Sequence, residues 1–352
     1  MKLLLSFAFL VGFAFNLQAQ DTEMTEPDPL IAVVEACQDA LALGDKSTAF
    51  SLARKIRKEA IRRFSDEPKQ LAPLLLLYAD AAASYKDAAT LIAYREALVA
   101  YERAFGRDGE QLIEPMMRAA REALARKYRV EAFNLFQRTI ELSNQYGQGY
   151  VAQAAIAKTG IASLHLRVGE LTAARTYLDE ALVTDARSLS ALDLGWIYHV
   201  SADTNLALEN WRAADEHYTQ AYGYYEGVNR NARDLRTILR RLIKANHMMG
   251  APERATNFCQ LYAEKRDWGS RMLFDPSDKI TNRRADNVAT VKVEYTINHQ
   301  CRAVEVVVTS AGGMDPLRVR EIIEDAYWLP RYRNGVATRT ELQRISSFIV
   351  AD

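Results

Sequence analysis

The chain has 352 residues, with 45 basic and 45 acidic side chains and a formal net charge of +0. That balance argues against a nucleic-acid-binding protein, which carries a basic excess, while the length allows about two domains and a full-sized core. Glycine and proline are scarce, 16 and 9 in the whole chain, which favours helices, since these residues tolerate a helix interior least.

Met1-Lys2 is followed by an apolar run from Leu3 to Leu17, then by Gln18-Ala19 and a polar stretch from Gln20 to Asp28. One positive residue, a short apolar core and a small residue at a cleavage-like position predict a secretory signal peptide over 1–19, with a polar segment over 20–29. The run is shorter than the roughly 20 residues a spanning helix needs. Cleavage after Ala19 and a periplasmic location are therefore the expectation, and an uncleaved inner-membrane anchor is the alternative. No later apolar run is long enough to span a bilayer, so no integral span is expected after cleavage.

Three cysteines follow, Cys37, Cys259 and Cys301. An oxidising compartment permits a disulfide, and an odd count leaves at least one thiol unpaired. If a pair forms, Cys259 with Cys301 is favoured because the two flank a domain junction. In the competing reading Cys37 and Cys259 are small buried hydrophobes in helices.

Over 30–268, apolar and alanine positions recur at i, i+3, i+4 and i+7, the period of amphipathic helices. Short breaks interrupt them at Gly44-Asp45, Gly106 to Gly109, Gly147 to Gly149, Gly169 and Gly250-Ala251-Pro252. One motif repeats: alanine, an apolar or aromatic residue four later, then a small or apolar residue three after that. It reads as Ala97-Tyr101-Ala104, Ala132-Phe136-Thr139, Ala174-Leu178-Ala181, Ala214-Tyr218-Ala221 and Ala255-Cys259-Tyr262, with a weaker copy at Ala49-Ala53-Ile56. Intervals near ~40 residues predict about six helix pairs, each burying its apolar face against the next. The copy Ala162, His165, Gly169, Ala174, Leu178, Ala181 resembles the tetratricopeptide repeat family, although these repeats are longer than that family's and lack its closing proline.

Residues 269–287 read as a polar linker. Beyond it, Val291 to Ile297 alternates strictly and predicts a strand with one wet face. Val304 to Val308 predicts a second strand, Pro316 to Tyr327 a helix with Val319, Ile322 and Ile323 on one side, and Leu342 to Val350 a third strand. This β-β-α-β order, closed by Tyr327-Trp328-Leu329-Pro330 and Asn334-Gly335, makes residues 288–352 resemble the TonB C-terminal domain family. Cys301 stands where that family commonly has a hairpin glycine. The fold class expected is thus mainly α: a tetratricopeptide-like helical-hairpin solenoid with a small C-terminal α+β domain.

The sequence holds no nucleophile elbow, Walker loop, H-E-x-x-H or C-x-x-C, and its five histidines lie in distant segments. No catalytic residue, cofactor or metal site is expected. Two candidate binding surfaces remain. Arg236, Arg240, Arg241 and Lys244 cluster on one helix, and Arg121 and Arg167 fall at concave-facing repeat positions. Such a groove would capture acidic peptides or anionic envelope polymers; a solvated helix face is the plainer reading. The TonB-like resemblance implies peptide capture by strand addition, with Gln343, Ile345 and Ser347 on the candidate edge strand. Together these predict a non-enzymatic periplasmic scaffold or adaptor with protein or peptide partners in the envelope, outer-membrane transporters among them. The alternative implied by the second resemblance is a TonB-type energy transducer. Against it, Leu3 to Leu17 contains no histidine and no proline-rich spacer follows.

Overall fold

A computed structural model describes residues 28–228, 232–264, 272–274, 280–281, 288–333, 336–338 and 343–350. The expected signal peptide and the Asn334-Gly335 signature lie outside the described residues. Among those described, twelve α-helices form six consecutive hairpins. The first helices of the pairs are α1 (Pro29–Leu43), α3 (Pro68–Tyr85), α5 (Ile113–Ala125), α7 (Val151–Val168), α9 (Ala191–Ala207) and α11 (Ala232–Met248). The second helices are α2 (Lys46–Phe64), α4 (Thr90–Phe105), α6 (Arg129–Tyr146), α8 (Leu171–Leu182), α10 (Trp211–Gly227) and α12 (Pro252–Glu264).

Each hairpin turns on the same backbone device. A left-handed residue follows the first helix: Gly44, Lys86, Lys127, Gly169, Glu209 and Gly250 in turn. The next amide donates back to the carbonyl five residues earlier, as Asp45 does to Ala40, Tyr128 to Ala123 and Glu170 to His165. This is the Schellman closure that satisfies orphaned carbonyls at a helix end. An alanine then occupies the fourth position of every second helix: Ala49, Ala93, Ala132, Ala174, Ala214 and Ala255, all buried. A methyl there lets the two helices of a hairpin approach closely.

The second hairpin corrects the expected register. Its buried row is Ala93, Ala97 and Ala100, whereas Tyr101 and Ala104 are only partly covered. The motif therefore starts one helical turn earlier than Ala97-Tyr101-Ala104. The other five copies bury the rows expected of them. Contact between helices is tightest at glycine: a Cβ on Gly160 of α7 would stand 2.4 Å from the Phe136 ring of α6, and one on Gly195 of α9 2.3 Å from Tyr225 of α10.

After α12 come the short strands β1 (Met272–Phe274) and β2 (Ile280–Thr281), inside the segment expected to be an irregular linker. Two or three residues carry no periodicity by which a strand is recognised. The hairpin β3 (Val288–Ile297) and β4 (Ala303–Ser310), the helix α13 (Pro316–Asp325), β5 (Tyr327–Trp328), β6 (Arg331–Arg333), β7 (Val336–Thr338) and β8 (Gln343–Val350) follow. The main sheet runs β2-β8-β3-β4 and is antiparallel throughout. Val291, Val293, Tyr295 and Ile297 of β3 bury their side chains against Val319, Ile322 and Ile323 of α13. The α+β unit is thus the β-β-α-β arrangement its alternation and helix pattern predicted, with the chain's end as the strand beside β3.

Candidate interaction surfaces

The backbones of neighbouring first helices approach each other, α5 to α7 and α7 to α9, more closely than those of neighbouring second helices. These first helices therefore line the inner side of the solenoid's curve there, and the first helices of the other hairpins occupy the equivalent place in the repeat. Inner-side charges are engaged by the fold in two ways.

The first is a half-buried triad that occurs twice. Asp80 of α3 accepts from the Tyr94 hydroxyl of α4 at 2.8 Å and pairs with Arg118 of α5, which also binds Glu114 at 2.9 Å. Asp203 of α9 likewise accepts from Tyr218 of α10 and pairs with Arg241 of α11 at 3.2 Å. Arg241 follows Asp203 at the same interval, 38 residues, that separates Arg118 from Asp80. Burial raises the Asp80 carboxyl, and the Arg118 charge opposes it. Removing one partner of such a pair leaves a charge uncompensated, so each triad fixes the pitch from one hairpin to the next. The repeated interval was the signal in the sequence, and apolar periodicity does not see it.

The second is a clasp across non-neighbours. Arg121 of α5 reaches Asp193 at the start of α9, 2.6 Å away, and its guanidinium stands 5.6 Å from the Trp196 ring centre. Asp193 is itself held by Ser190, the N-cap of α9. Arg121 is thus paired within the fold while 46% of its side-chain surface stays open.

The other predicted cations remain available. Arg167 is exposed at the end of α7, Arg240 is exposed on α11 and Lys244 is half-buried there, and none has an ion pair among the described residues. The expected four-residue cluster on α11 is split, because Arg241 turns to the triad while Arg240 and Lys244 do not.

On the α+β unit, β8 is flanked by β3 along its length: Gln343 faces Tyr295, Ile345 faces Val293 and Ser347 faces Val291. At its end β8 also pairs with β2, through Phe348 and Ile349. β2 meets only that end of β8, and among the described residues no strand pairs with the other side of Gln343 to Ser347, where the expected edge lies. The outermost strands in the sheet order are β2 and β4. Along β4, Glu305 has φ +56 and the register with β3 shifts nearby, the kind of irregularity that blunts an open edge.

The junction between the two units is built, not loose. Cys259 of α12 and Cys301 in the β3–β4 turn form a disulfide with Cα atoms 6.5 Å apart, and both cysteines are fully buried. Gln260 donates to the His299 carbonyl at 3.0 Å. Cys301, Tyr327 and Leu329 share one apolar core with residues of α10, α11 and α12. Arg302 lies 3.7 Å from the centre of the Tyr327 ring, whose hydroxyl is 3.3 Å from His247 of α11. Cys301 has φ +64, the backbone state that a glycine adopts without penalty. Cys37 is the free thiol and is buried, which pushes its pKa up to about 11.

Among the described residues, no group of three His, Cys, Asp or Glu side chains is placed to hold a metal ion, and no helix is long and apolar enough to cross a membrane.

The repeated hairpins and their alanine rows define a tetratricopeptide-like solenoid followed by a small α+β domain. Among solved structures the chain is similar to the crystal structure of BtubC (BKLC) from P. vanneervenii, with a TM-score of 0.53 at 17% identity, covering 63% of this chain and 91% of that one. It also resembles a tetratricopeptide repeat protein from Parabacteroides merdae, with a TM-score of 0.44 at 14% identity over 68% of this chain and 81% of that one. No protein-family model matches the chain. No curated protein matches it either.

Proposed function

We propose that the protein is a non-enzymatic scaffold or adaptor of the bacterial cell envelope that binds protein or peptide partners along the inner side of its solenoid. The observation that carries this reading is the division of labour among inner-side charges. Asp80, Arg118, Arg121, Asp203 and Arg241 are ion-paired within the fold, whereas Arg167, Arg240 and Lys244 have no ion pair among the described residues. Solenoids present extended surfaces of this kind to their partners. The Cys259–Cys301 disulfide supports a periplasmic site, since such bonds persist in oxidising compartments.

The TonB-type alternative draws support from the β3-β4-α13-β8 order. The stapled junction weighs against it, because an energy transducer needs its terminal domain free to reach a distant transporter.

The test is photo-crosslinking in intact cells, with a crosslinking amino acid placed at Arg240, Lys244 or Arg167 and, as control, at the outer-surface Val130 of α6. Protein adducts confined to the inner-side positions are expected. Adducts from Val130 alone, or from none of the four, would remove the reading. An intact mass lacking residues 1–19 is expected for protein recovered from the envelope; a full-length mass in the membrane fraction would favour the transducer.

A further inference from the structure

The densest basic charge on the described helices is not on the inner side but on α2. Its 19 residues carry seven basic side chains and one acidic one, Glu59. The fold uses three of the seven. Arg57 makes a two-pronged pair with Glu96 of α4 at 2.9 Å, Arg63 binds Asp28 and Glu59, and Arg62 binds Glu59. Arg54, Lys55 and Lys58 are exposed and have no ion pair among the described residues. Ala49, Ala53, Ile56 and Ala60 are buried on the opposite side of the helix. Arg54, Lys58 and Arg62 follow at i, i+4 and i+8, a stripe about 12 Å long on the outer face.

Position along the chain adds a second observation. α2 belongs to the first described hairpin, so among the described residues the solenoid continues on one side of it. About eleven residues separate α1 from the apolar run Leu3 to Leu17, a reach of no more than roughly 40 Å even when fully extended. Where that run is retained as a membrane anchor, the alternative to cleavage, the stripe is held within range of the headgroups.

We propose that the outer face of α2 docks on anionic phospholipid headgroups and orients the solenoid on the membrane, with its far end directed away. Basic side chains at such a surface act additively and are weakened by salt, since the attraction falls off within a Debye length. This surface is separate from the inner-side groove, so the proposal does not depend on the scaffold reading.

The test is co-sedimentation of the full chain with vesicles of phosphatidylglycerol and phosphatidylcholine against vesicles of phosphatidylcholine alone. Any contribution of the apolar N-terminal run is common to both, so the difference between them reports α2. The expected result is a preference for the anionic vesicles that disappears in high salt. It is reduced roughly a hundredfold in the Arg54→Glu, Lys55→Glu, Lys58→Glu variant and unchanged in Arg240→Glu, Lys244→Glu. All three side chains on α2 are exposed, and an unchanged helix signal checks that the variant is folded. Equal binding to both vesicles, or a preference that survives the α2 variant, overturns the proposal. So does concentration-dependent self-association that the α2 variant abolishes without any preference for anionic vesicles, which would assign the face to a second copy of the chain.

Discussion

Three of the six hairpins turn on a residue other than glycine. Lys86, Lys127 and Glu209 hold φ values of +63, +67 and +58, and all three side chains are exposed. A left-handed backbone costs a residue with a Cβ about 1–2 kcal/mol. Glycine escapes that strain but gives up about 0.4–1 kcal/mol through the greater freedom of its unfolded chain. The difference leaves Lys127→Gly more stable by about 0.5–1 kcal/mol. The turns lie in separate hairpins, so Lys86→Gly, Lys127→Gly and Glu209→Gly together are expected to add to about 1.5–3 kcal/mol. The reciprocal change is Gly169→Ala. The new Cβ would meet no atom within 4 Å, so only backbone strain is introduced and a loss of about 1 kcal/mol is expected. Urea unfolding followed by the helix signal reads both, and a thermal midpoint shift of about 2 °C per kcal/mol accompanies it. If the triple variant is no more stable than the parent while Gly169→Ala is neutral, the turn strain inferred from these dihedrals is absent and the argument fails.

Gly160→Ala should cost about 1–3 kcal/mol, because its Cβ would enter the Phe136 ring and α7 must move off α6; an unchanged midpoint would refute that packing. Thiol counting on the denatured, unreduced protein should give one reactive group per chain, Cys37, and three after reduction. Native Cys37 should resist alkylation near neutral pH, because burial holds its pKa at about 11. Cys259→Ala and Cys301→Gly break the same bond, worth about 2–4 kcal/mol. Cys301→Gly also relieves a left-handed backbone, so it is expected to cost about 1 kcal/mol less than Cys259→Ala, and equal losses would refute the strain. His217, within 2.8 Å of the Ser201 hydroxyl, is held below its ordinary 6.5 by burial. A base with a lowered folded pKa stays neutral in the fold while the unfolded chain takes up a proton. Stability is therefore lost as pH falls below 6.5, and His217→Gln should flatten that part of the urea midpoint's pH profile.

Much of the architecture was legible because helix stacking imposes a period on small residues. Ala132, Ala174, Ala214 and Ala255 could be recognised by their partners four and seven positions later. The same rule misplaced the second copy. α4 carries alanine at 93, 97, 100 and 104, so two rows one turn apart satisfy it, and only the neighbouring helix decides which faces inward. Gly44, Gly169 and Gly250 announced their turns, whereas Lys86, Lys127 and Glu209 did not, because the strain they bear is invisible in residue type. The departure at Cys301 was visible as a missing hairpin glycine. There a cysteine paired with α12 occupies a backbone state glycine would take freely. The order of the sheet was only partly legible for another reason. Strand order depends on β2, a pair of residues too short to show any pattern, and on the return of β8 beside β3.

The Arg121–Asp193 clasp ties α5 to α9 past the hairpin between them. Mechanically, it is a tie-rod across a coil: neighbouring turns cannot be drawn apart there until it releases. Both ends are partly exposed, with 46% and 21% of their side-chain surfaces open, so the tie is worth no more than about 1 kcal/mol and loosens as salt rises. The middle of the coil thus holds a cross-tie whose strength falls as the ionic strength of its surroundings rises.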